Sequence, residues 1–139
     1  MQENEYLRLI EEMCAQVGID NSAEVTRSRH VMVDGTVVGL GLPPEDGEGV
    51  PLLFDLGAMP HDGIERKLLQ INAGADMQGG ECFAMHPQTG SIVYRSNARV
   101  TQHDGGADLA ESIQQLLERG RGLLQAGMQE LAGQEIERV

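Results

Sequence analysis

The chain begins with a segment whose apolar residues recur with the period of an α-helix. The segment covers residues 4–17, and Gly18 follows where helices commonly end in a left-handed residue. The main face of this predicted helix carries Tyr6, Ile10, Met13 and Val17, with Leu7 and Cys14 beside it. Leu9 lies off the centre of that face, so the apolar arc is wide. We expect such a helix to contact its own core and a second surface.

The period then changes to that of strands. Between residues 25 and 56, apolar residues alternate with polar residues or glycines. His30–Val33 predicts the end of a first strand, and Asp34-Gly35 is a strong two-residue hairpin signal. A second strand, an acidic loop and a third strand are predicted, in that order, at residues 36–42, 43–49 and 50–56. These strands form an antiparallel meander.

The middle of the chain predicts a helix followed by a second hairpin. Asp62 is placed to cap the helix, with Glu65 three residues later as a capping-box acid. The helix is expected to end near Asp76, and its apolar stripe consists of Ile64, Leu68, Ile71 and Ala75. The hairpin strands and their turn are predicted at residues 81–86, 91–100 and 87–90.

The last helical pattern begins at Asp108 and continues to near Leu131. Gly120 and Gly127 lie on its apolar side, which predicts close packing against a sheet. Residues 133–139 are expected to form a flexible tail. The resulting order is α-β-β-β-α-β-β-α, an α+β fold, in a single domain of 139 residues.

Composition narrows the class of partner. The core must be aliphatic, because the chain has only two Tyr, two Phe and no Trp. The net charge is −12, and Lys67 is the only lysine, so we expect no nucleic acid and no anionic membrane as partner. A basic or apolar partner fits better, unless the acidity serves only solubility. With no secretory signal and no apolar stretch that could span a membrane, we expect a cytoplasmic protein with Cys14 and Cys82 reduced.

The sequence offers no clear chemistry. Its four histidines (His30, His61, His86 and His103) have no metal-ligand spacing, and the acidic stretch at residues 45–48 lacks the ligand series of a calcium loop. Neither cysteine has the electropositive surroundings of a nucleophile, and phosphate-binding and nucleophile-elbow motifs are absent from the sequence. We therefore predict a binding protein without cofactor, metal or catalytic residue. Leu7, Leu9, Val37 and Leu53 fall off the predicted buried faces, which is typical of an interaction site.

Several strings resemble the CesT-like class I chaperones of bacterial type III secretion. They are Leu52-Leu53-Phe54-Asp55-Leu56-Gly57 with Met59-Pro60, Leu68-Leu69-Gln70-Ile71-Asn72, Gly79-Gly80, and Gly90-Ser91-Ile92-Val93-Tyr94-Arg95. The family has a strand ending in Leu-Gly near a proline, a Leu-Leu-x-x-Asn helix and a glycine pair opening a hairpin. The glycine-rich last helix, Ala73-Gly74 and the low aromatic content depart from this pattern.

The resemblance implies a five-stranded antiparallel sheet packed by helices in a homodimer. It also implies that the N-terminal segment of a secreted effector wraps the dimer across the first helix and the meander, and that the secretion-apparatus ATPase is a candidate further partner. The residues expected to bind the effector are Leu7, Leu9, Ile10, Met13, Val37, Leu40, Leu42 and Leu53. Those expected at the dimer interface are Leu68, Leu69, Ile71, Asn72, Phe83 and Val93.

Two other functions remain open from the sequence. One is a regulator with the same fold, acting by binding an antiactivator of transcription. The other is a small enzyme or ligand-binding domain, for which a deep polar pocket with a perturbed acid or histidine would be the sign.

Overall fold

The computed structural model describes residues 1–44, 48–58, 61–75 and 80–137, with side chains described as far as residue 133. Met59-Pro60 and Gly79 of the family pattern, and residues 45–47 of the acidic stretch, lie outside this part. The elements are α1 (Glu3–Val17), α2 (Ser22–Ser28), β1 (His30–Val33), β2 (Thr36–Leu40), β3 (Val50–Asp55), α3 (Ile64–Ala73), β4 (Cys82–Met85), β5 (Ile92–Ala98) and α4 (Gly106–Glu137).

The five strands form one antiparallel sheet in the order β1-β2-β3-β5-β4. β1 and β2 meet at Asp34 and Gly35, whose φ angles of 47° and 75° are those of a type I′ turn. The turn is held to α4, because Arg121 donates to the Asp34 carbonyl over 3.0 Å and Gln114 donates to the Asp34 carboxylate over 2.9 Å. The expected α+β class and five-stranded antiparallel sheet are confirmed.

The core lies between one face of the sheet and the helices. Alternate strand residues supply the sheet side, and α1 and α4, which pack on each other, supply much of the rest. Tyr94 is central, with its ring centroid 5.9 Å from that of Phe54 and 5.0 Å from that of Phe83. The largest fully buried side chains include Tyr6, Leu9, Ile10, Leu52, Phe54, Tyr94, Leu117 and Leu124.

One helix was not expected from the sequence. α2 occupies residues 22–28, where the sequence predicted the start of a strand pattern. Asn21 caps it by accepting the Glu24 N–H over 3.1 Å, and Arg29 ends it with a φ of 59°. Val25 is its one buried residue, so a seven-residue helix of this kind shows no helical period.

The helix starts also differ from expectation. Asp62 does not cap α3: the N-cap position is held by Gly63, and the Ile64 N–H donates to the His61 carbonyl over 3.1 Å. α4 begins at Gly106, earlier than predicted, and the Asp108 carboxylate accepts the Gly105 N–H over 2.9 Å. Asp108 is therefore the acid inside the first turn and not the cap.

The end of α4 lies beyond the expected position near Leu131, because the helix includes residues 133–137 of the segment predicted as a tail. Residues 138–139 lie outside the described part. The two glycines of its apolar side have different neighbours. Gly120 packs against Tyr94 of the sheet as predicted, whereas Gly127 packs against Ile71 and Lys67 of α3.

Candidate functional site

On the face of the sheet away from the core, several strand side chains of the described residues are exposed. Cross-strand partners in an antiparallel pair lie on the same face, so the register places Met32 beside Val37 and places Leu53 between Gly39 and Arg95. Val93 lies two residues before Arg95 and so shares this face. We call this surface the open face: Met32, Val37, Gly39, Leu53, Val93 and Arg95.

The open face is apolar at its centre. Met32 is 62% exposed, and Val37 and Leu53 are exposed as well. Gly39 adds no side chain to this surface, and the Leu53 side chain lies against it, 3.5 Å from where a Cβ of residue 39 would be. Grouped apolar side chains of this size in contact with water are typical of a protein-binding surface.

The open face continues round the edge strand β1 into a cleft. The cleft has a volume of about 280 Å³, and its apolar lining includes Val17, Ile19, Met32, Val33, Ala110 and Ile113. It lies where the end of α1, the edge of β1 and the first half of α4 meet. We call it the β1 cleft. The backbone of an edge strand beside an apolar cleft is what an extended segment needs in order to add as a further strand.

Four of the residues expected to bind a partner are in the core. Leu9 is 0% exposed, and Ile10 and Leu40 are buried with it, so these three offer no side-chain surface to another molecule. Met13 is also buried, but it lies in the wall of the β1 cleft. The prediction that Leu9 is partly exposed is wrong, because α2 and α4 both pack on α1 and cover its wide apolar arc. The other four expected residues are accessible: Val37, Leu42 and Leu53 are exposed, and Leu7 is half-buried.

The residues expected at the dimer interface also differ in exposure. Leu68 and Phe83 are buried in the chain's own core, which corrects the prediction that both lie on an exposed patch. Leu69 is 70% exposed, and Ile71 and Val93 are half-buried. Asn72 is half-buried, and its amide is bonded within the chain to the backbone of Phe83.

The sequence interpretation missed Met32 and Val17. A signal for Met32 was present, because a two-residue turn at Asp34-Gly35 makes Met32 the partner of Val37, which had been selected. Val17 and Ile19 had no such signal. Their position beside β1 depends on how the end of α1 packs, which no local pattern reports.

Polar chemistry is concentrated at Glu81. Its buried carboxylate accepts hydrogen bonds from the Tyr94 hydroxyl and from the Arg119 guanidinium, at the side of a cleft of about 270 Å³. Burial, together with the bond to Glu81, raises the pKa of Tyr94 above its ordinary range. A carboxylate that is already paired with an arginine in this way is better placed to stabilise the fold than to act as a general acid or base.

The remaining candidates for chemistry are metal-ligating side chains and the Cys14 thiol. No three His, Cys, Asp or Glu side chains within the described ranges are grouped so as to hold a metal ion. Burial raises the pKa of the Cys14 thiol, with Glu11 adding to the effect, which disfavours the nucleophilic thiolate. None of the helices in the described part has the length and apolar character of a membrane span.

Comparison of the sequence with family models and with curated protein sequences gives no match. Solved structures do match. The Yersinia pestis type III secretion chaperone SycH, in complex with a stable fragment of YscM2, aligns with a TM-score of 0.56 and 20% identity over 85% of this chain and 98% of that chain. A chain of the ExoT–SpcS complex from Pseudomonas aeruginosa aligns with a TM-score of 0.53 and 13% identity over 87% of this chain and 98% of that chain.

At these identities the likeness is one of fold. It covers nearly the whole length of both matched chains, and it agrees with the resemblance found in the sequence. The chain therefore has the fold of a class I type III secretion chaperone.

Proposed function

We propose that this protein is a cytoplasmic chaperone that binds an extended N-terminal segment of a type III secreted effector and keeps that segment soluble until secretion. The observation that carries the proposal is the open face with the β1 cleft, an accessible apolar surface beside a free strand edge, on the fold of SycH. Both matched structures are complexes, one of SycH with a YscM2 fragment and one of ExoT with SpcS.

Binding combines two physical contributions. An added strand gains backbone hydrogen bonds along β1, and its alternate side chains enter the β1 cleft. Further apolar residues of the segment pack on Val37, Leu53 and Leu42. The protein's net charge of −12 assists encounter with a basic segment and adds little to the affinity of a bound apolar one.

We further propose that two copies form a dimer through α3. Leu69 is the most exposed large apolar side chain of the described residues, and it lies on α3. Leu68 and Phe83 are buried in the chain's own core and are not part of the proposed interface. A two-fold interface covers such a patch on both copies at once.

The test of the binding function compares matched variants. Val37→Asp and Leu53→Asp place a charge on the open face, and Ala107→Asp places the same charge on an exposed residue of the first turn of α4, where acids are favourable. Wild type and Ala107→Asp should capture the same secreted protein from the source bacterium, and the first residues of that protein, expressed alone, should suffice. The open-face variants should lose about thirtyfold or more in affinity for that segment, as expected for a central anchor. Equal binding by all four proteins would contradict the proposed surface.

A further inference from the structure

Arg95 is the one charged residue of the open face, and its neighbours across the sheet are apolar. The register places it between Leu53 of β3 and Cys82 of β4, and Val93 precedes it on the same face. Arg95 and Leu53 are both exposed. No described residue bonds the Arg95 guanidinium. A cation without a partner therefore lies directly beside an exposed leucine.

Other arginines of the chain are paired with acids. Arg8, Arg27 and Arg119 each bond a carboxylate of the same chain. This is expected where 22 acidic residues accompany 10 basic ones. Arg66 resembles Arg95 in having no bonded partner among the described residues, but it lies on α3 and not on the sheet. Arg95 is thus exceptional on the surface where it lies.

Two acids lie near Arg95, and neither bonds it. Asp55 lies on the same face of β3, and its carboxylate accepts the Gly57 N–H over 2.9 Å. Glu48 and Arg95 line one cleft of about 320 Å³, whose apolar lining includes Leu42, Pro44 and Pro51. Neither acid forms an ion pair or hydrogen bond with Arg95 in the part of the chain that the structure describes. The guanidinium remains available to a carboxylate of another molecule.

A segment that packs on Leu53 also covers part of Arg95. Directly opposed residues of an antiparallel pair have their Cβ atoms only about 5 Å apart, so one bound side chain reaches both. A guanidinium that loses water without gaining an acceptor opposes binding. A carboxylate is the best replacement, because it accepts two charge-assisted hydrogen bonds from the planar guanidinium. Any apolar segment on this surface therefore binds better with an acid at that point.

We propose that Arg95 makes the open face select extended segments that carry an acidic side chain between apolar ones. The carboxylate bonds Arg95, and the flanking apolar side chains pack on Leu53 and in the cleft at Leu42 and Pro51. The net charge of −12 disfavours segments that are acidic throughout. We therefore expect one acid at a fixed position in a segment that is otherwise apolar or basic. This inference rests on the proposed function, because it specifies what the open face binds.

The experiment selects random peptides, displayed on phage, for binding to the full chain. Wild type is compared with Arg95→Glu and with Arg27→Glu, which makes the same change of charge at an exposed residue of α2. Val37→Asp serves as the background, because its open face carries a charge. Peptides enriched on wild type over Val37→Asp should have an acidic residue flanked by apolar ones. Arg95→Glu should select lysine or arginine at that position, and Arg27→Glu should select the same peptides as wild type.

Affinities of defined peptides give the size of the effect. The peptide most enriched on wild type is prepared with Glu, Gln or Lys at the selected position. Wild type should bind the Glu form about tenfold more tightly than the Gln form. Arg95→Glu should prefer the Lys form, and Arg95→Gln, which adds no charge, should bind the Glu and Gln forms equally. The preference of wild type should persist at about 0.5 M salt, where the screening length is about 4 Å, because the two charges are in contact.

The outcomes separate this inference from the proposed function. Apolar peptides enriched on wild type without an acid would overturn the selection by Arg95 and leave the open face as a binding surface. No enrichment over Val37→Asp would overturn the surface itself, and the inference with it. The same peptides on wild type and Arg95→Glu, or a reversed preference on Arg27→Glu as well, would also overturn the role of Arg95.

Discussion

Gly120 of α4 lies against the ring of Tyr94 in β5, so closely that a Cβ built on Gly120 would be 2.5 Å from Cδ2 of the ring and 2.8 Å from Cγ. The ring cannot easily withdraw, because it packs between Phe54 and Phe83 and its hydroxyl donates to Glu81. The absence of a side chain at Gly120 therefore sets how near α4 approaches the sheet.

Gly120→Ala should destabilise the protein. The added methyl group must displace the Tyr94 ring or α4, which costs about 1–3 kcal/mol in a packed core. Gly122→Ala is the matched control, since nothing lies within 4 Å of its Cβ position. That variant should be stabilised by up to about 1 kcal/mol through helix propensity. Urea unfolding of both variants measures the difference, and equal stabilities would contradict the tight contact at Gly120.

Tyr6→Phe should stabilise the protein and reduce the stability that it loses at alkaline pH. The Tyr6 hydroxyl is buried, and no described residue bonds it, so its removal should gain about 1 kcal/mol. Burial raises the pKa of Tyr6 to about 12, above the ordinary value of about 10. The unfolded chain therefore loses this proton first, and the free energy of unfolding falls by about 1.4 kcal/mol per unit between about pH 10 and 12.

Unfolding of wild type and Tyr6→Phe in this alkaline range measures the difference between them. Tyr94 also has a raised pKa, so part of the alkaline loss should remain in the variant. If the free energy of unfolding falls equally with pH in the two proteins, the Tyr6 hydroxyl is solvated in the folded protein and the prediction is wrong.

Arg119→Ala should destabilise the protein at neutral pH, because it removes the guanidinium from a buried carboxylate. The cost should be about 1–3 kcal/mol, toward the lower end because Arg119 is itself half exposed. Adding Glu81→Gln removes the buried charge and should recover part of the loss. A double-mutant cycle by chemical denaturation tests this, and strictly additive effects would exclude the coupling.

Leu9→Asp should unfold the protein, because its side chain is 0% exposed and a carboxylate there has no partner among the surrounding apolar groups. Val37→Asp introduces the same charge on the open face and should change stability by no more than about 1 kcal/mol. Circular dichroism and thermal unfolding separate the two variants. If the Leu9→Asp protein folds, α1 does not pack on the core as the structure shows.

Leu69→Asp should prevent dimerisation without unfolding the chain, because Leu69 is exposed in the single chain. At a two-fold interface the charge would be desolvated in both copies. Light scattering should give about twice the chain mass of 15.1 kDa for wild type and Ala107→Asp, and the single-chain mass for Leu69→Asp. A monomeric wild type at micromolar concentration would contradict the proposed dimer.

Local patterns predicted most of the sheet. Alternation separated Tyr94 from Val93 correctly, and Asp34-Gly35 determined the register of β1 on β2. The face on which a strand residue lies and the register across a two-residue turn both depend on residues close together in the sequence, so a local pattern is enough to predict them.

Residues whose environment depends on distant elements were predicted less well. Leu9 was assigned to a surface because its helical face was considered alone, whereas α2 and α4 together enclose it. The two bonds between the Asn72 amide and the backbone of Phe83 were not predicted either. Burial of this kind follows from three-dimensional packing and has no signature in the period of one segment.

Arg121 and Gln114 attach the β1–β2 turn to α4. This attachment affects how tightly a further strand can bind at β1. The two hydrogen bonds to Asp34 restrain the tip of the hairpin, so β1 already has its bound conformation before a partner binds. The conformational entropy lost on binding, about 1–2 kcal/mol for each backbone residue that becomes fixed, then falls almost wholly on the incoming segment. Selectivity among candidate segments should accordingly follow how extended each one already is in its free state.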